Sequence, residues 1–430
     1  MVLSNIPQYT LGNEITEKAF TSHDLPLVTY GLPFPRLVAL HVQRLGCQRV
    51  YALVSGSVAR KTPSYQQLKD ELGPLLVAER VGVKPHTYWD EVLEMAKDAQ
   101  AAKADILVTL GGGSVTDAAK LVSLAISNNV TSLDEMGALV PIPRGVDAET
   151  KKLKFDIPEN IKDLTIPVIV IPTTLSAGEH THASGATDPR NNAKYQFFTP
   201  GMTPKVIVLD PQVTLTTPER TWLSSGVRAI DHSVEGLCSL ISTPETEKIS
   251  GEALSLLVPA LLKLKKENFN DLQARFEAQV GARKSTEPFL CYGVPIGGSH
   301  GIGHMLGPFG VGHGETSCIL LPSVCKYNSA DPTALEHQHR TLSVLWSLPC
   351  VASVLEARGL KRHTADLSTV LDGVFRELGM PRSLRDVGID PTEEFLEKLA
   401  EMSLTDFSLA SNPIPLTEKS QVLEILRMSA

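Results

Sequence analysis

The first half of the chain alternates short, continuous apolar runs with longer stretches of helical periodicity. Residues 49–54 ("RVYALV") read as a buried strand closed by "SGS", and "PLLVAERVGV" as a second strand. The pattern of "YWDEVLEMAKDAQAAKA" is helical. Residues 105–110 ("DILVTL") are again strand-like, followed by "GGGS" and a helical "VTDAAKLVSLAISNN". Two more apolar runs, residues 165–174 and 205–211, complete the series. Strands covered on both faces read as unbroken apolar runs, and the helical stretches between them supply the covers. The pattern predicts a doubly wound, mostly parallel α/β sheet over residues 1–214.

Beyond Thr217 the strand runs nearly vanish. "ERTWLSSGVRAIDHSVEGLCSLIS", "EKISGEALSLLVPALLKLKKENF" and "DLQARFEAQVGARKS" are long and amphipathic, so residues 215–430 are expected to form an all-helical domain. The boundary falls where prolines and threonines punctuate "LDPQVTLTTPER". A polar, proline-bearing stretch, residues 140–163, reads as a surface loop or hairpin.

Composition narrows the function. With 42% hydrophobic and 20% charged residues the chain is globular, and its net charge of −8 argues against a nucleic-acid partner. An anionic substrate stays open, because a local pocket can be basic on an acidic protein. No apolar run approaches the roughly 18 residues of a membrane span. The N-terminal stretch lacks a basic start followed by an apolar core, so no signal peptide is expected. Cys47, Cys238, Cys291, Cys318, Cys325 and Cys350 form no CxxC pair and read as buried, reduced thiols of a cytosolic protein.

Three glycines, Gly111, Gly112 and Gly113, lie between a strand and a helix. Glycine lets backbone approach a phosphate, and the helix that follows offers free N–H groups and the positive end of its dipole. Ser114 is placed to cap that helix or bond a phosphate oxygen, with Asp117 and Lys120 one and two turns further in. A second loop, "VSGSVARKT", carries Ser55, Ser57, Arg60 and Lys61 but no acid. The absence of a ribose-binding carboxylate leans the nucleotide toward NADPH rather than NADH.

Histidines crowd the other half. "GGSHGIGHMLGPFGVGHGET" places His300, His304 and His313 in one short stretch, and His300 and His304, four apart, share a helix face. Arg228, His232 and Glu235 line one face of another predicted helix, with Asp231 between. His180 and His182 sit in "AGEHTH". Such density points to a metal site or an acid/base centre.

"GGGSVTDAAK", "IPTTLSAGE", "GVRAIDHSVE", "SHGIGHMLG", "GHGETSCILLP" and "NPIPLT" occur in the order of the iron-containing alcohol dehydrogenase superfamily, and the chain resembles its maleylacetate reductase branch most. The resemblance implies a dinucleotide-binding domain, a helical domain, hydride transfer in a cleft between them, and a homodimer. Thr173 and Thr174 would then face the nicotinamide or pyrophosphate. In metal-dependent members one Asp and three His bind Fe²⁺ or Zn²⁺. The histidines carry over to His232, His300 and His313, but Arg228 stands where the Asp belongs. A guanidinium cannot ligate a metal, so no metal is expected, and Arg228 reads as the anchor for a substrate carboxylate. One of the histidines, His180 included, would then polarise the carbonyl and donate the proton. Relatives usually show "GSE.TP" where this chain has "AGEHTH", which alters the substrate pocket.

The expected activity is therefore NAD(P)H-dependent, metal-independent reduction of an oxo acid. An Fe- or Zn-dependent alcohol dehydrogenase, and a lyase, isomerase or cyclase on the same scaffold, are the alternatives.

Overall fold

The computed structural model describes residues 7–147, 149–159 and 161–430. The chain forms two compact units. One gathers Gln8–Ile142 with Phe155–Thr217, and the other Pro218–Ala430 with Pro143–Lys154. The first six residues, on which the leader question partly rests, lie outside the described part, as do two positions of the 140–163 insertion.

The first unit is built on a seven-stranded sheet. Its strands are β1 (Ile15–Lys18), β2 (Leu27–Tyr30), β3 (Val50–Val54), β4 (Leu76–Val81), β5 (Ile106–Gly111), β6 (Val168–Pro172) and β7 (Val206–Val208). They lie in the order β1-β2-β7-β6-β5-β3-β4. All pairings are parallel except β1 with β2. The continuous apolar runs are explained by the two cores. Val50, Ala52, Val54, Ile106, Val108, Leu110, Ile169 and Ile171 face one, with Leu37, Val38 and Val42 of α1 (Phe34–Arg44). Tyr51, Leu53, Leu107, Val168 and Val170 face the other, with α2 (Trp89–Ala101) and α3 (Gly113–Asn128). Alternate residues of each central strand thus meet helices on opposite faces, the signature of double winding.

Two features escaped the pattern. β1 is exposed along its whole length, so no apolar run marks it. Residues Ala183–Thr187 and Lys194–Phe198 form an antiparallel hairpin from a polar, glycine-bearing stretch. The 140–163 insertion does contain a two-stranded hairpin, Ile142–Val146 with Leu153–Asp156.

The second unit is helical apart from that hairpin's inner part. The helices that matter for the site are α4 (Glu219–Cys238), α5 (Leu272–Tyr292), α6 (Gly298–His304) and α7 (His313–Asn328). Ile302 and Leu306 join Ile319, Leu320, Leu399, Leu409, Ile425 and Leu426 in one buried cluster, so α6 is seated on the C-terminal segments. No helix among the described residues is long and apolar enough to cross a membrane. No disulfide forms among the described residues. Cys238, Cys318 and Cys325 are buried as expected, but Cys350 is exposed and Cys47 and Cys291 are only half-buried.

Candidate active site

In the α/β unit three loops meet at the carboxyl ends of adjacent strands, where open parallel sheets bind ligands. The backbone ties them together: Ser55 N–H donates to the Leu110 carbonyl at 2.9 Å, and Thr173 N–H to that of Gly111 at 2.9 Å. The glycines permit this closeness. A Cβ on Gly111 would meet Val115 at 2.9 Å and Ser55 at 3.0 Å, and one on Gly112 would meet Thr174 Cγ2 at 3.1 Å. Ser114 does not cap α3, which starts at Gly113 with no side-chain cap at all. Thr174 Oγ1 is buried without a hydrogen-bond partner among the described residues. An uncapped helix N-terminus and an orphaned hydroxyl beside a glycine-built loop fit a dinucleotide pyrophosphate. Thr173 is buried, its carbonyl accepting from Thr217 Oγ1.

Lys120 and Asp117 turn the other way. The Lys120 ammonium donates to the carbonyls of Gly178, Thr181 and Ala183. It is a clasp on the loop that carries Glu179 and His180, rather than a group offered to phosphate. Burial brings its pKa down to about 8. Burial raises the Asp117 carboxyl. Burial likewise pushes Glu179 up to about 7. His180 is buried, 3.7 Å from Glu179 and edge-on to Phe20. It belongs to the α/β unit, whereas His232, His300, His304 and His313 lie in the helical unit. The stretch after β3, read as a loop, is a short helix, Gly56–Lys61, with Ser55 at its N-cap and the Ser55 and Ser57 hydroxyls 3.0 Å apart. The Arg60 guanidinium folds back over Gly56 so closely that a Cβ there would lie 2.6 Å from Nη2.

The helical unit assembles the remaining predicted residues. Arg228 and Asp231 on α4 are buried, at 2% and 0% exposure, with Glu235 one turn on. Glu235 caps α6 with both oxygens, accepting from Gly297 N–H at 2.8 Å and Ser299 N–H at 2.9 Å. Its Oε2 also lies 2.7 Å from His300 Nδ1, and His300 Nε2 is buried with no partner among the described residues. Asp231 Oδ2 accepts from the hydroxyls of Ser299 and Ser317 and lies 3.3 Å from His300 Nδ1. His232 stacks on His300 with ring centroids 4.7 Å apart, and its Nδ1 lies 3.4 Å from Ser285 Oγ on α5. His304 contacts Asp406 through Nδ1 at 2.8 Å and stacks on His313, centroids 6.0 Å apart. His313 opens α7 and is exposed.

Arg228 lies at the middle of this network. Its Nη1 donates to Ser317 Oγ at 3.0 Å and sits 3.8 Å from Asp231 Oδ2, its Nη2 is 3.4 Å from His304 Nε2, and its Nε has no partner among the described residues. Burial, then each other's charge, raises Asp231 well above the usual carboxylate range, and burial raises Glu235. Burial, reinforced by neighbouring cations, holds His232 and His300 well below the usual imidazole range.

A divalent ion needs several free donor atoms converging on one point. Among the described residues the one group of His, Cys, Asp and Glu atoms close enough to share an ion is Asp231, Glu235 and His300, not His232, His300 and His313. Its carboxylates are already engaged by serine hydroxyls, backbone amides and His300, and a guanidinium occupies the flank where a further cation would be repelled. These residues do not fit the ion. Asp406, Ser285 and Ser317 were missed in the sequence. The signal was faint: Ser317 lies inside the "GHGETS" motif, while Asp406 precedes "NPIPLT" by several residues.

A nucleotide-type α/β unit and a helical unit with a buried acid/base cluster define a class, the NAD(P)-dependent oxidoreductases. Comparison with known proteins narrows it. The family model for iron-containing alcohol dehydrogenase matches residues 36–211, and that for the C-terminal domain of the Fe-containing alcohol dehydrogenase family matches residues 222–430. The chain is 40% identical to Dehydrogenase ALT3 of Alternaria alternata over 89% of its own length and 99% of the relative's. It is 26% identical to Maleylacetate reductase 1 of Cupriavidus pinatubonensis over 96% and 97% of the two chains. NADH-dependent butanol dehydrogenase A of Thermotoga maritima has the same fold, with a TM-score of 0.74, 21% identity, and 100% and 98% of the two chains covered. The chain belongs to the iron-containing alcohol dehydrogenase family.

Proposed function

We propose that the protein is a metal-independent reductase of oxo acids, similar to the maleylacetate reductases, with Arg228 as the anchor for a substrate carboxylate. The observation that carries this reading is the buried Arg228 guanidinium with an unpartnered Nε, in the same α4–α6–α7 cluster as the unpartnered His300 Nε2. An unsatisfied buried N–H costs about 1–3 kcal/mol, and a carboxylate oxygen would relieve that cost with charge assistance. A bound nicotinamide supplies the hydride. The chain's own part is to hold the acid by Arg228 and to deliver a proton from one of the histidines, His300 or His232 on the inner side, to the carbonyl oxygen.

We read the cofactor as NADPH. The acid-free end of β3, with Ser55, Ser57 and the folded-back Arg60, suits a 2′-phosphate better than a free ribose. The substrate is then a small anion, and a cytosolic homodimer completes the reading, with cysteines that form no disulfide among the described residues suiting a reducing compartment.

Initial-rate kinetics with maleylacetate and with its neutral diester test the anchor. Arg228→Met is expected to raise KM for the acid roughly 10- to 100-fold, as losing a hydrogen bond to a charged group does, while the diester is unaffected. Equal effects on both substrates would remove Arg228 from substrate binding.

A further inference from the structure

The bonding around His304 is fixed from both sides. Arginine can only donate, so the 3.4 Å contact from Arg228 Nη2 requires a lone pair on His304 Nε2. The proton must then be on Nδ1, where it donates to Asp406 Oδ2 at 2.8 Å. Asp406 is buried with it. Burial alone would raise this carboxyl, but the His304 contact and the hydrogen bond from Ser408 N–H bring it below its ordinary value. The carboxylate, the ring and the guanidinium form one chain of donors and acceptors with a single direction.

The segment that carries Asp406 is seated firmly. A Cβ on Gly301 would lie 2.1 Å from Leu409 Cδ1 and 3.2 Å from Asp406 Oδ1, so α6 lies flat on Phe407–Ser411 because residue 301 is glycine. At the other end of α6, Ser411 Oγ donates to the Ile296 carbonyl at 2.8 Å and Asn412 Oδ1 accepts from Gly298 N–H at 3.1 Å. Asn412 is itself locked in a reciprocal pair with Asn328, at 3.1 and 2.7 Å. Gly303 clears the way for the arginine, since a Cβ there would stand 3.5 Å from Arg228 Nη1 and 2.8 Å from Thr316 Oγ1.

We infer that His304 and Asp406 are positioning residues for the substrate carboxylate: Asp406 fixes the His304 tautomer, and His304 Nε2 aims the Arg228 guanidinium at the acid. His304 is thereby committed as an acceptor and is not the proton donor. The inference rests on Arg228 being the carboxylate anchor.

The test is a double-mutant cycle in the full-length protein, with maleylacetate and its diester as paired substrates. Asp406→Leu and His304→Phe are each expected to raise KM for the acid roughly tenfold, the equivalent of one hydrogen bond to a charged group, with kcat changed less than about threefold and the diester unaffected. Asp406→Asn, which keeps an acceptor oxygen, should recover most of the loss. In an Arg228→Met background neither substitution should add anything, because residues acting through one partner are non-additive.

A fall in kcat at constant KM for His304→Phe would overturn the inference by making His304 the proton donor. Additive losses with Arg228→Met, or equal losses on acid and diester, would overturn it by reducing Asp406 to a packing role. If Asp406→Leu fails to fold, His304→Gln in the same cycle decides. An Arg228→Met variant that treats acid and diester alike would instead overturn the anchor itself.

Discussion

The glycine loop of the α/β unit and the arginine–histidine cluster of the helical unit do comparable jobs with opposite materials. At Gly111–Gly113 the recognition surface is backbone: an uncapped helix start, and loops brought within contact distance because three residues have no Cβ. At Arg228 the surface is side chains, ionisable and largely buried, each held by a partner from another segment. A backbone site tolerates drift in its surroundings as long as the glycines stay. A side-chain site of buried charges depends on every partner, because removing one strands another in a medium that cannot solvate it.

That contrast can be broken at several points. The largest effect is expected for Asp231→Ala, which leaves Arg228 and two serine hydroxyls facing a void. Stripping one member from a buried charge network costs about 3–5 kcal/mol, so chemical denaturation should show a much lower midpoint. Next is Glu179→Gln in the α/β unit. A carboxyl with a folded pKa of about 7 holds its proton more tightly in the native state than in the unfolded chain. Its contribution is favourable at low pH and is lost as pH rises through about 7. The substitution should therefore stabilise the protein at pH 8, by up to about 3 kcal/mol, and the gain should fade by pH 5 in thermal melts at the two pH values. The smallest is Gly112→Ala. The new methyl meets only the movable Thr174 side chain, at 3.1 Å. Stability should hardly change while KM for the nucleotide rises about tenfold, the equivalent of roughly 1.4 kcal/mol. A glycine-loop variant that loses stability as severely as Asp231→Ala would erase the contrast.

The same contrast explains what could be read in advance. A backbone-built loop announces itself locally: "DILVTLGGGSVTDAAK" contains its strand, its glycines and its helix in order. The four-residue spacing of His300 and His304, and of Arg228 and His232, also survived into the structure, because one helix carries each pair. What links those helices was not legible. Asp406 comes from 102 positions beyond His304, in a stretch with no periodicity, and only folding reveals that it fixes that ring. Lys120 looked like a phosphate ligand from its place after the glycines, yet its donors go to carbonyls of a loop some 60 residues on. Strand β1 was invisible for a simpler reason, that it buries no apolar face; Ala183–Thr187 is buried, but its residues are alanine, serine, glycine and threonine, which make no apolar run.

We propose that a guanidinium takes the place of the ion at this site. The most direct measurement is turnover with maleylacetate and NADPH by protein purified in chelator, with metal content determined on the same sample. Full activity is expected with far less than one metal per chain, unchanged when Fe²⁺ or Zn²⁺ is added. Activity that appears only on adding either ion, in proportion to the metal bound, would contradict it.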